Sequence, residues 1–257
     1  MSTFHKLSIK KIIKETPNAI SILFDIPQEL KENFSFVAGQ YITIKKELGE
    51  KELRRAYSIC ASPNSNELKV AIKAVEKGTF SVYATSKLKE GQELEVSEPE
   101  GKFILKPEAS KNYLGFAAGS GITPVISMVK TVLENEPSAT FTLIYGNKSA
   151  DSTIFKSELD ALSESYKTQF NLHYIFSKDL KTDSKFGRID KGHTNYFVKN
   201  IHKDIAFDSA FICGPEEMIA LVSETLQENG FNEEAIYYEL FTASTDEIPL
   251  DIPDGKA

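Results

Sequence analysis

Cysteine is scarce in this chain. Only Cys60 and Cys213 are present, far apart and in no CxxC or Cys/His cluster, which excludes a zinc site or an iron–sulfur cluster built from this chain alone. The four histidines, His5, His173, His193 and His202, have no metal-ligand spacing and read as solvated or hydrogen-bonded side chains, so no metal site is expected. Long apolar runs are also missing. The opening segment MSTFHKLSIKKIIKE has no extended apolar core, which argues against a signal peptide or membrane anchor and makes a cytoplasmic, reducing compartment the expectation. Excess positive charge is absent: the formal net charge is −7, which argues against nucleic acid as the main partner. No internal repeat is visible.

What is present falls into two halves. At 257 residues the chain is long enough for two modest domains, each with its own core. Alternation and β-branched content predict short strands over residues 7–13, 19–24, 41–46, 56–60, 68–75 and 93–96, with a short helix over 80–88. Many short strands with one helix suggest a small antiparallel barrel. Beyond residues 107–112 the pattern changes to alternating strands and helices. Strands are expected over 114–118, 140–145, 170–176, 210–213 and 236–240, and helices over 124–134, 155–163 and 216–229. A polar stretch without assigned structure follows the strand at 170–176. Repeated βα units imply a doubly wound parallel sheet whose ligand lies over the carboxyl ends of its strands. The expected fold is therefore β plus α/β, with domains over 1–108 and 109–241 and a polar, linker-like tail over 242–257.

The strongest local signal is Tyr113–Lys130, YLGFAAGSGITPVISMVK. An apolar strand ends in Gly119-Ser120-Gly121, and Ile122-Thr123-Pro124 opens a helix. A pyrophosphate can sit on backbone N–H groups at such a turn. Thr123 is expected as the helix N-cap and Pro124 as the first helical position. The stretch departs from G-x-G-x-x-G, because Pro124 replaces the third glycine.

Arg55-Ala56-Tyr57-Ser58, in the barrel half, is a second signal. In a strand Arg55 and Tyr57 share one side and Ser58 takes the other. Arg55 can fork onto a phosphate, Tyr57 offers a flat amphipathic face, and Ser58 a short donor or acceptor. A solvated Arg–Tyr ladder is the structural alternative. Gly78-Thr79-Phe80-Ser81 is a turn ahead of a helix that could present N–H groups to a phosphate or simply cap that helix. Cys213-Gly214-Pro215 ends a strand at the carboxyl edge of the sheet, where Cys213 either faces the same crevice as Gly119 or is a small buried thiol.

The order of these motifs, ending in Tyr238-Glu239-Leu240-Phe241, resembles the ferredoxin–NADP reductase superfamily, a flavin barrel followed by a nicotinamide-binding α/β domain. The phrases GQYITI, RRAYSIC, IYGNKSADSTIF, FICGPEEMI and YYELFTA are most similar to the reductase components of multicomponent oxygenases, in particular the phenylacetyl-CoA epoxidase type, and to the reductase part of flavohaemoglobins. The resemblance implies FAD, with Arg55 on the pyrophosphate, Tyr57 on the isoalloxazine face and Ser58 near flavin N5. It implies further flavin contacts from Tyr41, from Gly78, Thr79, Phe80 and Ser81, and from Glu239, Phe241 and Thr242. Gly119, Ser120, Gly121, Ile122, Thr123 and Pro124 would hold the nicotinamide ribose and pyrophosphate. Cys213 would border the nicotinamide C4; with Ser58 and Tyr57 it forms the expected catalytic group. Ala56, Ile72, Lys73, Asn147, Gly214, Pro215 and Met218 complete the expected cofactor-binding set.

NADPH is favoured over NADH as the substrate. Ser177-Lys178-Asp179 stands where NADP-using relatives typically carry Ser-Arg-Glu, and Lys148 and Arg188 are further candidate clamps for a 2′-phosphate; solvated loop charges are the alternative for Lys148 and Lys178. No Asp or Glu directly follows the 140–145 strand to claim a ribose 2′-hydroxyl. The implied activity is a flavin-dependent NAD(P)H oxidoreductase that passes electrons to a ferredoxin-type domain or an oxygenase component. Alternatives are a free flavin reductase and a non-catalytic regulatory subunit. Relatives of the epoxidase-reductase type continue into a [2Fe–2S] ferredoxin domain. The stop at Ala257 fits either a shortened chain or a naturally short reductase with a separate acceptor, so the cluster is expected only on a missing domain or a partner.

Overall fold

The computed structural model describes residues 3–49, 51–180 and 184–241. The expected tail over 242–257, and with it Thr242, lies outside the described residues.

The first half is an antiparallel sheet of β1 (Phe4–Thr16), β2 (Ala19–Asp25), β3 (Tyr41–Leu48), β4 (Lys51–Ser58), β5 (Leu68–Lys73) and β6 (Glu93–Ser97). The strand order is β4-β3-β6-β1-β2-β5. Its two end strands meet just past β4, where Ile59 bridges Val70 and the Cys60 N–H donates to the Lys69 carbonyl at 2.8 Å. That contact closes the sheet into a barrel and removes its open edges. Inward residues such as Leu7, Ile22, Ile42, Ile44, Val70 and Val96 fill the interior. Helix α1 (Thr79–Lys87) plugs one end with the buried side chains of Phe80 and Ala84.

Most strands run a residue or two past the limits their alternation suggests, and β1 and β4 begin furthest ahead of them. β1 carries register shifts at Ile9/Lys11 and Lys14/Thr16, and each bulge breaks the period of two on which a sequence reading depends. β4 begins at Lys51, because the charged run KELRR pairs with β3 along its whole length.

The second half is a parallel sheet with strands β7 (Asn112–Ala118), β8 (Thr140–Asn147), β9 (Phe170–Phe176), β10 (Lys185–Phe186), β11 (Ser209–Gly214) and β12 (Ile236–Leu240). They are ordered β10-β9-β8-β7-β11-β12. Helices α2 (Ile122–Asn135), α3 (Lys156–Ser165), α4 (Lys191–Asn195) and α5 (Glu216–Glu228) connect them. From β7 the chain first winds outward through β8 and β9, then returns to place β11 on the other side. The order therefore reverses between β7 and β11, and a crevice opens above their carboxyl ends.

The stretch after β9 is not structureless. It holds β10, α4 and a π-helical turn over Tyr196–Ile201. The Asp190 carboxylate starts α4 by accepting from the His193 N–H at 2.7 Å, and Phe197 anchors the turn in the core. Ile189 and Thr194 are also buried, and Tyr196 and Val198 pack against the same core, but so short a span with a change of helix type leaves no helical period to read.

The halves share a core. Ala19, Ala38, Cys60, Ala71 and Phe103 of the first half lie in one buried cluster with Val125, Met128 and Phe211 of the second. Polar ties reinforce it: the Ser127 hydroxyl donates to the Ala61 carbonyl at 2.6 Å, the Lys130 ammonium to the Cys60 carbonyl at 3.0 Å, and Ser62 bonds Glu134.

Candidate active site

The glycine turn follows β7 directly. Gly119–Gly121 forms one 3-10 turn that winds without a break into α2. Gly119 has φ +56°, a left-handed conformation that glycine adopts without steric cost. Gly121 is required by space: a Cβ there would lie 2.2 Å from the Cys213 carbonyl oxygen, so no larger residue lets α2 start this close to the end of β11. The expected cap is corrected by this geometry. The helix begins at Ile122 with Gly121 in the cap position and no side-chain cap, because the preceding turn is already helical. The Thr123 hydroxyl instead donates back to the Ser120 carbonyl at 3.1 Å, and Pro124 is the third helical residue. Ile122, Thr123 and Pro124 are buried, so any contact they make with a nucleotide comes from the backbone.

Across the crevice, β12 brings Glu239 to Ser58 at the end of β4. The Ser58 hydroxyl donates to Glu239 Oε2 at 3.3 Å, a contact between residues 181 apart in sequence. Burial raises the Glu239 carboxyl to about 7, and the Ser58 hydrogen bond pulls the other way. Cys213 sits opposite Glu239 in the parallel ladder. It is fully buried, and burial together with the Glu239 charge holds its thiol well above the usual range. The Phe241 N–H donates to the Gly214 carbonyl at 3.4 Å, and the Phe241 ring packs on the shared core.

The barrel contributes one wall. Tyr41 pairs with Ser58, and Arg55 and Tyr57 lie partly exposed beside the exposed Ala56. Tyr57 leans on Phe80 with ring centroids 5.9 Å apart; burial pushes its phenol up, and the Arg55 charge opposes that shift. Phe80 and Ile72 lie in the barrel core, so their side chains support the wall from behind. At the Gly78 turn the Ser81 hydroxyl accepts from the Val75 N–H at 3.3 Å, which closes the turn, while Thr79 is exposed. Met218 is buried under Gly214 in the core on the far side of the sheet.

Lys73, at the end of β5, crosses the domain boundary. A Cβ on Gly119 would meet only its ammonium, at 3.5 Å. Burial lowers the Lys73 pKa, and the neighbouring Lys148 charge lowers it further. The β8–β9 ladder continues past its strand ends: the Ser177 N–H donates to the Asn147 carbonyl at 3.0 Å and the Lys178 N–H to the Lys148 carbonyl at 2.8 Å. Lys148 and Lys178 are thereby set side by side. The Gly187 N–H returns to the Phe176 carbonyl at 3.0 Å, which brings Arg188 to the same end of the sheet. A glycine turn open on its outer side, with the Lys73 ammonium beside it and the Lys148 charge near Lys73, suits the phosphates of a dinucleotide.

Sequence reasoning had no signal for two features. One is the protonation state of Glu239, set by burial. The other is Tyr145, whose hydroxyl reaches the Gly119 carbonyl. Among the described residues, no three His, Cys, Asp or Glu side chains gather as metal ligands, and no helix is long and apolar enough to cross a membrane.

A closed barrel joined to a doubly wound sheet, with a phosphate-suited turn at their junction, defines a two-domain flavin- and nicotinamide-binding oxidoreductase. Comparison with known proteins agrees. Residues 6–104 match the oxidoreductase FAD-binding domain family, and residues 116–224 match the oxidoreductase NAD-binding domain family. The chain is 40% identical to a component of the 1,2-phenylacetyl-CoA epoxidase of Escherichia coli K12 over 244 residues, spanning 94% of this chain and 68% of that protein. It is 30% identical to the ferredoxin reductase component of a Rhodococcus rhodochrous 3-ketosteroid-9-alpha-monooxygenase, over 98% of this chain and 70% of the relative. A ferredoxin NADP+ reductase from Neisseria gonorrhoeae, solved with FAD and NADP, superposes with TM-score 0.78 at 20% identity, covering 93% of this chain and 99% of its own. The chain belongs to the ferredoxin–NADP reductase family.

Proposed function

We propose that this oxidoreductase oxidises NADPH and delivers the two electrons one at a time to a [2Fe–2S] acceptor, as the reductase component of a multicomponent oxygenase. The observation that carries the reading is the convergence of Ser58, Glu239 and Cys213 with the Gly119–Gly121 turn at the domain junction. FAD, when bound, supplies the conversion between a two-electron donor and one-electron acceptors. The chain's own residues do the positioning. Arg55 and the Gly78 turn hold flavin phosphates, Tyr57 lies along the ring system, and Ser58 with Glu239 forms a hydrogen-bonding pair at its edge. Gly119 lets the backbone close on the nicotinamide nucleotide and Gly121 lets α2 start against the end of β11, while buried Cys213 and the Phe241 ring keep water from the junction.

NADPH is preferred because Lys148 and Lys178 stand together at the end of the sheet with Arg188 close by, a set suited to a 2′-phosphate. An oxygenase partner is supported by the names of the relatives, several of which are reductase components of such systems. The test is anaerobic. Protein loaded with FAD is mixed with NADPH or NADH, flavin bleaching is followed, and a [2Fe–2S] ferredoxin or ferricyanide is then added. NADPH is expected to bleach the flavin faster than NADH, and the acceptor to restore it with FAD still bound. Failure of both nucleotides to bleach the flavin overturns the proposal, and faster bleaching by NADH overturns the NADPH preference; release of reduced FAD identifies a flavin reductase instead.

A further inference from the structure

We propose that Tyr145 is a positioning residue for the nicotinamide nucleotide, its hydroxyl fixing the glycine turn through the Gly119 carbonyl. The inference rests on the reading of that turn as the nucleotide's phosphate cradle. Phe141, Leu143 and Tyr145 alternate along β8 and point into the same core cluster. Only Tyr145 carries a polar tip. A phenylalanine would fill this fully buried position as well, so packing alone does not account for the hydroxyl.

Its location does. The hydroxyl donates to the Gly119 carbonyl at 2.8 Å, and the Ile154 carbonyl lies at 3.4 Å. Both acceptors belong to loops at the carboxyl ends of the sheet, one after β7 and one after β8. Burial raises the phenol far above its ordinary range, so it keeps its proton, and remains a donor, at any working pH. The ring is packed against Tyr174, centroids 6.2 Å apart. Gly119, at φ +56°, is the most mobile type of residue in the turn, and an untethered glycine peptide samples both signs of φ. A rigid, buried donor on the central sheet removes that freedom before the nucleotide arrives, which lowers the ordering cost of binding.

The test uses FAD-loaded protein. Tyr145→Phe keeps the ring and deletes the tether. Titration with NADP+, read by flavin difference spectra, is expected to show Kd raised about five- to ten-fold, the range that losing one buried hydrogen bond implies. The limiting rate of flavin reduction at saturating NADPH is expected to stay within about two-fold and FAD retention to be unchanged, since the tether acts on binding rather than on the transition state. Thr225→Ala deletes another buried hydroxyl-to-carbonyl bond, from Thr225 to Leu221 on α5, and is expected to leave Kd unchanged. Gly119→Ala strains the same turn without touching the core and is expected to raise Kd as well. A normal Kd in Tyr145→Phe or Gly119→Ala, or an equal rise in Thr225→Ala, overturns the role of Tyr145. Wild-type protein that binds no nicotinamide nucleotide overturns the cradle reading itself, a result distinct from either.

Discussion

Replacing Glu239 with Gln is expected to change how stability depends on pH. The carboxyl titrates near 7 in the folded protein and has an ordinary value of 4.5. Its folded-state pKa is raised, so the folded protein binds the extra proton between those values. The associated stability is complete below about 4.5 and is lost as pH rises through 7. Linkage over the full window gives roughly 3 kcal/mol, and about 2 kcal/mol of it falls between about pH 5.5 and pH 8. Gln carries no charge at either pH and lacks this loss. In a chain of this size the difference corresponds to a melting temperature about 4–8 °C higher for Glu239→Gln relative to wild type at pH 8 than at pH 5.5. The assay is thermal or urea unfolding of flavin-free protein at the two pH values. Ser58→Ala removes the hydroxyl that favours the carboxylate, so its transition should move to higher pH. Parallel pH profiles for wild type and Glu239→Gln would show that this carboxyl is solvated and would refute the argument.

Other consequences are as direct. Cys60 and Cys213 are both fully buried, with burial pushing the Cys60 thiol up to about 12 and Cys213 also raised; Ellman's reagent should label neither in the native protein and both in guanidinium. Arg55→Ala should weaken FAD retention, measured as flavin lost on gel filtration; unchanged retention removes Arg55 from the phosphate site. Joint replacement of Lys148 and Lys178 by Ala should raise the KM for NADPH about ten-fold and leave that for NADH within about two-fold; equal effects on both would assign the lysines to general steering.

The sheet strands were legible where alternation or apolar runs were intact, and β9 and β12 match their expected limits. Where bulges shift the register, as in β1, or charges occupy a strand, as in β4, the period fades although the pairing persists. The segment with α4 and the π-turn had no period because its core contacts, Ile189, Thr194, Tyr196, Phe197 and Val198, are clustered over a short span that changes helix type rather than spaced at a fixed repeat. The site was legible as motifs but not as contacts. Arg55–Ser58, Gly119–Pro124 and Cys213–Pro215 could be picked out by residue type. No spacing rule joins Ser58 to Glu239, or Lys73 to Gly119, because those meetings depend on how the barrel docks against the sheet. Glycines could be flagged, but that Gly121 faces a backbone oxygen rather than a ligand depends on how closely α2 starts against the end of β11.

The core shared by the two halves bears on recombination. Ala19, Ala38, Cys60 and Ala71 are small residues on the barrel side, and Val125 and Met128 of α2 press against that side of the cluster. Cutting the chain between β6 and β7 would leave both fragments with a bare apolar face, the kind of surface that drives aggregation. Chimeras that exchange the nicotinamide half between relatives are therefore expected to be soluble and active only when the small barrel residues travel with α2. The inheritable unit is the docked pair of domains, and on the proposed reading of Lys148 and Lys178, substitutions in the loops after β8 and β9 are expected to shift nicotinamide preference with less damage than exchanging a whole domain.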